Sequence, residues 1–337
     1  MQPDTYEQHE QTDANQRMLN TDPRETPRAS TPYMPMQPRR RSIGRTLAFC
    51  ALAVAISIGI ISLTGGVSFG SQQKVLPTRA FTINGHGQLL INDGSGTFHI
   101  HEGAGNQVII QGSEYAYGLF SNLDAIEVHY AQQGNTVTLD ASEGWTILGE
   151  SKLVMDITVP ANLDVNIRGG STDADLTGIS GHVTSNTSSG DIHLSNITGG
   201  LDLNSSSGDL TVEGEQGTIS AHTSSGDIRL SQVTGPVDLS SSSGDITLDQ
   251  AHISGQDQIQ TTSGDIRFTG TLDPHGTYTL STSSGDITLT LPANSSLQAS
   301  ISTSSGDVHN AFSTSGGAAP YAMLTLKTSS GDITLQK

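Results

Sequence analysis

Residues Ser241–Leu248 read SSSGDITL, and the Ser-Gly-Asp core of that stretch occurs eight times in the second half of a 337-residue chain. The glycines fall at Gly190, Gly208, Gly226, Gly244, Gly264, Gly285, Gly306 and Gly331, at spacings of 18, 18, 18, 20, 21, 21 and 25. A short period that accepts insertions marks a stack of coils, each touching only its neighbours.

Counted from each glycine, positions +2 and +4 are apolar in copy after copy, as in Ile192/Leu194, Leu210/Val212, Ile246/Leu248, Ile287/Leu289 and Ile333/Leu335, with Asn310 the exception. Positions −7 and −5 behave alike in Leu201/Leu203, Val237/Leu239, Tyr278/Leu280 and Leu324/Leu326, while Asp257/Ile259 and Val183/Ser185 keep one apolar member each. Alternation of this kind describes two short strands per repeat, each with one face inward. A further apolar position, Ile197, Val233 or Ile253, precedes a second turn. One coil buries too few side chains to offset the entropy of ordering its own backbone, so coils must stack and pair their strands about 4.8 Å apart.

The expected fold is therefore all-β, a parallel β-solenoid of 18–21-residue coils over residues 182–337, with 81–181 as its irregular N-terminal part. Within that part, DADLTG at Asp173–Gly178 reads as a degenerate first repeat, and Trp145 with Tyr115, Tyr117 and Phe120 as the N-terminal cap. The last repeat stops six residues after Gly331 with no capping element in view, which predicts an uncovered C-terminal edge open to self-association.

Ahead of the strands, residues 47–69 read LAFCALAVAISIGIISLTGGVSF, 23 residues without a charge. A helix of that length spans the roughly 30 Å hydrocarbon core of a bilayer. Arg39, Arg40, Arg41 and Arg45 precede it and only Lys74 and Arg79 follow closely, which places the N-terminus in the cytoplasm and the C-terminal domain outside. The expectation is a single-pass cell-membrane protein; a cleaved secretory signal competes, but a 46-residue leader is long for one. Residues 1–46 are polar and Pro-rich and read as a disordered cytosolic tail, and 70–80 as a linker. The single cysteine, Cys50, lies inside the apolar run, so neither an intramolecular disulfide nor a Cys-based metal site can form.

The net charge is −18, and beyond residue 46 the chain holds 8 basic and 27 acidic residues. That balance argues against a nucleic-acid partner.

The run VMDITVPANLDVNI at Val154–Ile167, followed by the SSGDI copies, resembles a bacterial β-strand-repeat family of unknown function labelled "putative adhesin", many of whose members are membrane-anchored. The likeness covers about residues 81–337 and implies the fold. It carries over no catalytic or binding residue.

Stacking in register would align Asp191, Asp209, Asp227, Asp245, Asp265, Asp286, Asp307 and Asp332. Unit charges about 5 Å apart repel by roughly 0.8 kcal/mol in water and roughly 3 kcal/mol at an effective dielectric of 20. Calcium bound along the ladder is one relief. The other is local: the glycine takes an unusual corner angle while Asp and Ser side chains accept backbone N–H bonds. His99 and His101 share a strand face, with Glu102 pointing the other way, and two such ligands are too few for a transition-metal site. The serines lie in turns, away from any strained nucleophile elbow, so no catalytic residue is expected, and no cofactor beyond that calcium.

These readings converge on a non-enzymatic, membrane-anchored surface protein whose long polar face serves adhesion or contact with envelope polysaccharide. The alternative is an envelope-stress sensor or signalling accessory that relays through the helix to the tail.

Overall fold

The computed structural model describes residues 72–118, 126–143, 149–312 and 319–337. The tail at 1–46, the apolar segment at 47–69, Phe120 and Trp145 lie outside the described residues. Among the described residues no helix is long and apolar enough to cross a membrane, and all regular structure is β-strand.

The strands form two sheets, one of 15 and one of 12. In the first, Ile192, Leu210, Ile228 and Ile246 stand in register on successive parallel strands; in the second, Leu201, Ile219 and Val237 do the same. Each inward residue thus lies on its counterpart in the next coil, and nearly all these positions are buried to 0–2% exposure. Ile197, Val233 and Ile253 close the third side of the core. Period-two alternation inside each strand and the longer repeat between strands are the same pattern read along and across the sheet.

The N-terminal part contains strands β1 (Gln72–Val75), β2 (Arg79–Thr82), β3 (Gly87–Asp93), β4 (Gly96–Glu102), β5 (Gln107–Gly118), β6 (Ile126–Gln133), β7 (Thr136–Glu143), β8 (Gly149–Val159), β9 (Leu163–Gly169) and β10 (Asp173–Thr177). β3 and β4 pair in parallel with β9 and β10, and β10 pairs in register with Ile192–Ser195, so Asp173–Thr177 does sit in the repeat lattice. Beyond them the chain reverses. β5 runs antiparallel to β8, with β1 and β2 antiparallel on its far side, and β6 with β7 forms an antiparallel pair at the end of the other sheet. The end is therefore closed by backbone reversal. Of the aromatic group expected to cap it, Tyr115 and Tyr117 stack on each other with ring centroids 6.4 Å apart, and Tyr117 is 43% exposed.

At the other end the coils do not stack in chain order. Ile287–Thr290 pairs with Ile333–Gln336, which pairs in turn with Val308–Asn310; in the second sheet Thr277–Ser281 pairs with Ala322–Lys327, which pairs with Leu297–Ser302. Coil 322–336 is thus inserted between coil 277–290 and coil 297–310. This corrects the expectation that the last repeat forms the open edge: the outermost coil is 297–310. The reason is in the side chains. Leu324, Leu326, Ile333 and Leu335 fill a slot covered on both sides and are buried to 0–1%, whereas Ala299 and Ile301 are half-buried, Val308 is 47% exposed and the fourth position is Asn310. The coil with least to bury takes the place covered on one side only.

Candidate functional site

Three kinds of contact hold the Ser-Gly-Asp corners: a hydroxyl bridge, complete in four of them, and the glycine packing and the aspartate ladder, which run through all eight. The first comes from the residue three before the glycine, always Ser or Thr. In the coil of Gly244, the Gly244 N–H donates to Ser241 Oγ at 2.9 Å, and that hydroxyl donates to the Gly226 carbonyl of the preceding coil at 3.2 Å. Thr187, Thr223 and Thr261 repeat both bonds. The column is buried where those coils stack, so each hydroxyl satisfies two backbone groups that water does not reach.

The second is close backbone packing at the glycine. A methyl group on Gly244 would overlap the carbonyl oxygen of Gly226, one on Gly226 that of Gly208, and one on Gly331 that of Gly285. None of the eight glycines has a left-handed φ. The corner-angle explanation is corrected: the glycine is needed because coils approach there without room for a Cβ. The left-handed angle sits six residues later, at Asn196 (φ 55), Gly214 (φ 72), Gln232 (φ 54) and Gln250 (φ 52).

The third is the aspartate ladder. The Asp209 N–H donates to Asp191 Oδ1 at 2.9 Å, Asp227 to Asp209 at 2.9 Å, Asp245 to Asp227 at 2.8 Å and Asp265 to Asp245 at 2.8 Å. It continues through Asp286, then Asp332, then Asp307, following the order of coils in space. Arg229 lies between Asp227 and Asp209, at 2.5 and 3.0 Å, and Arg267 between Asp265 and Asp245, at 2.6 and 3.6 Å. One carboxylate oxygen is thus committed to the next coil's amide, and guanidinium groups screen part of the row.

Beside these corners runs an open, hydroxyl-lined groove of about 460 Å³. Ser240, Ser242, Thr262, Ser281, Ser283 and Ser329 line it from successive coils, with Lys327 at one end. On the adjoining face His222 lies between Ser220 Oγ (3.0 Å from Nε2) and Ser240 Oγ (2.7 Å from Nδ1). Both imidazole nitrogens are taken by hydroxyls, so no carboxylate orients the ring as a general base requires.

His99 and His101 project from the same exposed face, as their spacing predicted. His99 stands 3.6 Å from Asp175, and His101 stands 3.6 Å from Asp156 and 3.0 Å from Thr158 Oγ1. Glu102 faces away and accepts hydrogen bonds from Ser180. Among the described residues no group of three or more His, Cys, Asp or Glu is arranged to hold a metal ion.

Within the Ser-Gly-Asp repeats, Glu215 and Asp257 are buried acids that interrupt the apolar columns. Glu215 occupies the third-side column between Ile197 and Val233, is wholly buried with neither carboxyl oxygen hydrogen-bonded, and burial pushes its pKa up to about 8. Asp257 stands in the column of Val237 and Tyr278, accepts the Val237 N–H at 2.8 Å, and is pushed by burial up to about 6. Tyr278 donates its hydroxyl to the Ile253 and Asp273 carbonyls. Asp257 was visible in sequence as a break in its column. Glu215 becomes visible only once Ile197 and Val233 are aligned across the 18-residue repeat.

The family model described as Toastrack DUF4097 matches residues 88–336. No curated protein matches the sequence. Among solved structures, a "putative adhesin" from Bacteroides fragilis is 17% identical, covering 78% of this chain and 97% of its own at a TM-score of 0.35. A "putative lipid binding protein" from Parabacteroides distasonis is 13% identical, covering 80% and 98% at a TM-score of 0.41. A "putative adhesin" from Parabacteroides merdae is 12% identical, covering 78% and 95% at a TM-score of 0.30.

Proposed function

We propose, from the premise that this chain belongs to the Toastrack DUF4097 family, that its solenoid is a non-catalytic binding scaffold at the cell surface, held to the membrane by residues 47–69 and engaging envelope polysaccharide. The observation that carries this reading is the groove, where hydroxyls of Ser240, Thr262, Ser283 and Ser329 recur from coil to coil. A polymer of repeated hydroxylated units meets a repeated row of donors and acceptors with the same kind of group at each step. Many weak contacts then add along one chain. The corner hydroxyls are committed to backbone and the aspartates to the next coil's amide, so the polar residues there build the face rather than perform chemistry.

Ser242, Thr262 and Ser283 are exposed, so replacing all three by Arg fills the groove without touching the core. Binding of the full-length protein to purified cell-wall polysaccharide is expected to fall at least tenfold, with the thermal midpoint unchanged. Equal binding by the variant and the parent would remove the groove from the mechanism.

A further inference from the structure

The two faces of coil 297–310 are finished differently. Its inner side is fully paired: the Ala322 and Thr328 amides donate to the Ser296 and Ser302 carbonyls, and the Ile333 amide to the Asp307 carbonyl. Successive residues of a strand turn their backbone groups to opposite sides. The amides and carbonyls of Leu297, Ala299 and Ile301 in one sheet, and of Val308 and Asn310 in the other, therefore face outward. Between these edges Ala299, Ile301 and Val308 remain partly uncovered, while Leu324, Leu326 and Ile333 one coil further in are buried to 0–1%.

Natural sheet edges are blunted by charges, prolines or bulges. LQASIS at Leu297–Ser302 and VHN at Val308–Asn310 contain no proline and no Asp, Glu, Lys or Arg. The opposite end differs, being closed by antiparallel β5, β6 and β8, with Glu127 on β6.

We propose that coil 297–310 is a homodimer face, on which a second copy of this chain docks end to end about a two-fold axis. The occupant follows from the shape of the end. Both sheets terminate on one coil with an apolar cross-section between them, and an extended peptide would cover only one of the two edges. A second solenoid end covers both edges and the core together, at the strand separation it already has. A two-fold makes the paired edge strands antiparallel, and since the described residues leave one end of the stack open, the assembly closes at two copies. This inference does not depend on what the groove binds.

The test uses the full-length protein in non-ionic detergent, with Gln298→Lys and Ser300→Lys combined. Both side chains are exposed and point away from the core, so they place like charges across the dimer contact and leave the coil intact. Light scattering after size exclusion is expected to show a dimer for the parent and at least a tenfold weaker dimer for the variant, with superimposable circular dichroism. Amide exchange at Ala299, Ile301 and Val308 should quicken in the variant. Glu127→Lys, at the closed end, should change neither readout. A parent that stays monomeric at tens of micromolar, or a dimer that survives the paired lysines, overturns the proposal.

Discussion

At its N-terminal end the stack is finished by chain reversal: β5 and β8 run antiparallel over ten paired positions, and β6 folds back on β7. At the other end it is finished by a change of order, with coil 322–336 seated inside coil 297–310. Both arrangements deal with the same problem, that a parallel stack exposes core and backbone wherever it stops. The first removes the parallel edge altogether. The second keeps it and puts the least apolar coil there, so the two ends differ in what they leave available to another molecule.

The largest expected effect asks whether the stretch between the ends unfolds with them. The Glu215 pKa is raised from 4.5 to about 8 on folding, so between those values the folded chain holds a proton that the unfolded chain has released. The stabilisation is complete below pH about 4.5 and is lost as pH rises toward 8, a span of roughly 4–5 kcal/mol. Asp257, raised from 3.8 to about 6, acts in the same direction at lower pH. Urea unfolding from pH 4 to 9 should show this decline, and Glu215→Leu should remove most of it above pH 6. A parent whose stability rises over that range would contradict the assignment of Glu215 to a dry column.

A second comparison sets the two C-terminal coils against each other. Leu326→Ala, in the slot covered on both sides, should cost about 3 kcal/mol, and Ile301→Ala, in the outer coil, about 1 kcal/mol. Chain-order stacking predicts the reverse, so unfolding free energies of the two variants decide between the arrangements.

Smaller again is the effect at the glycines. Gly244→Ala forces a methyl against the Gly226 carbonyl inside the stack and should cost about 2 kcal/mol. Gly306→Ala meets the Gly331 carbonyl from the outermost coil, which is held by only one other coil of its own chain, and should cost less than about 1 kcal/mol. Calorimetric midpoints of the pair measure how rigidly each coil is held.

The smallest contrast lies on the ladder. Asp227→Ala removes the acceptor of the Asp245 amide and a partner of Arg229, at a cost of about 1 kcal/mol. Asp307→Ala removes a carboxylate with no further coil to serve and should leave the midpoint unchanged. Calcium in place of chelator should shift neither variant, since hydrogen bonds already tie one coil's carboxylate to the next coil's amide.

The repeat was legible because each inward column is a sum over many copies, and one Asn310 does not hide it. In-register stacking and the alignment of the aspartates followed from the same columns. The order of the last coils was not legible, because period and spacing are unchanged when two coils exchange slots. The less apolar set Ala299, Ile301, Val308 and Asn310 marks the weaker coil in the sequence, but that it yields its slot to coil 322–336 shows only in the strand pairing and in the burial of Leu326 against Ile301. The reason for the glycine was misread because a turn glycine in sequence looks the same whether it supplies an angle or an absence of Cβ. The hydroxyl three residues before it was in plain view in every copy, yet nothing local marks it as bridging two coils.

The inserted coil also sets an order of assembly. Residues 297–310 leave the ribosome before 322–336, yet the place next to coil 277–290 belongs to the later segment. A chain folding as it emerges must hold the earlier coil aside, or dock it and release it again, until its neighbour arrives. The slot beside coil 277–290 is therefore filled by the last segment in chain order although it is not the last in space, and a chain truncated after residue 310 lacks the segment that belongs there.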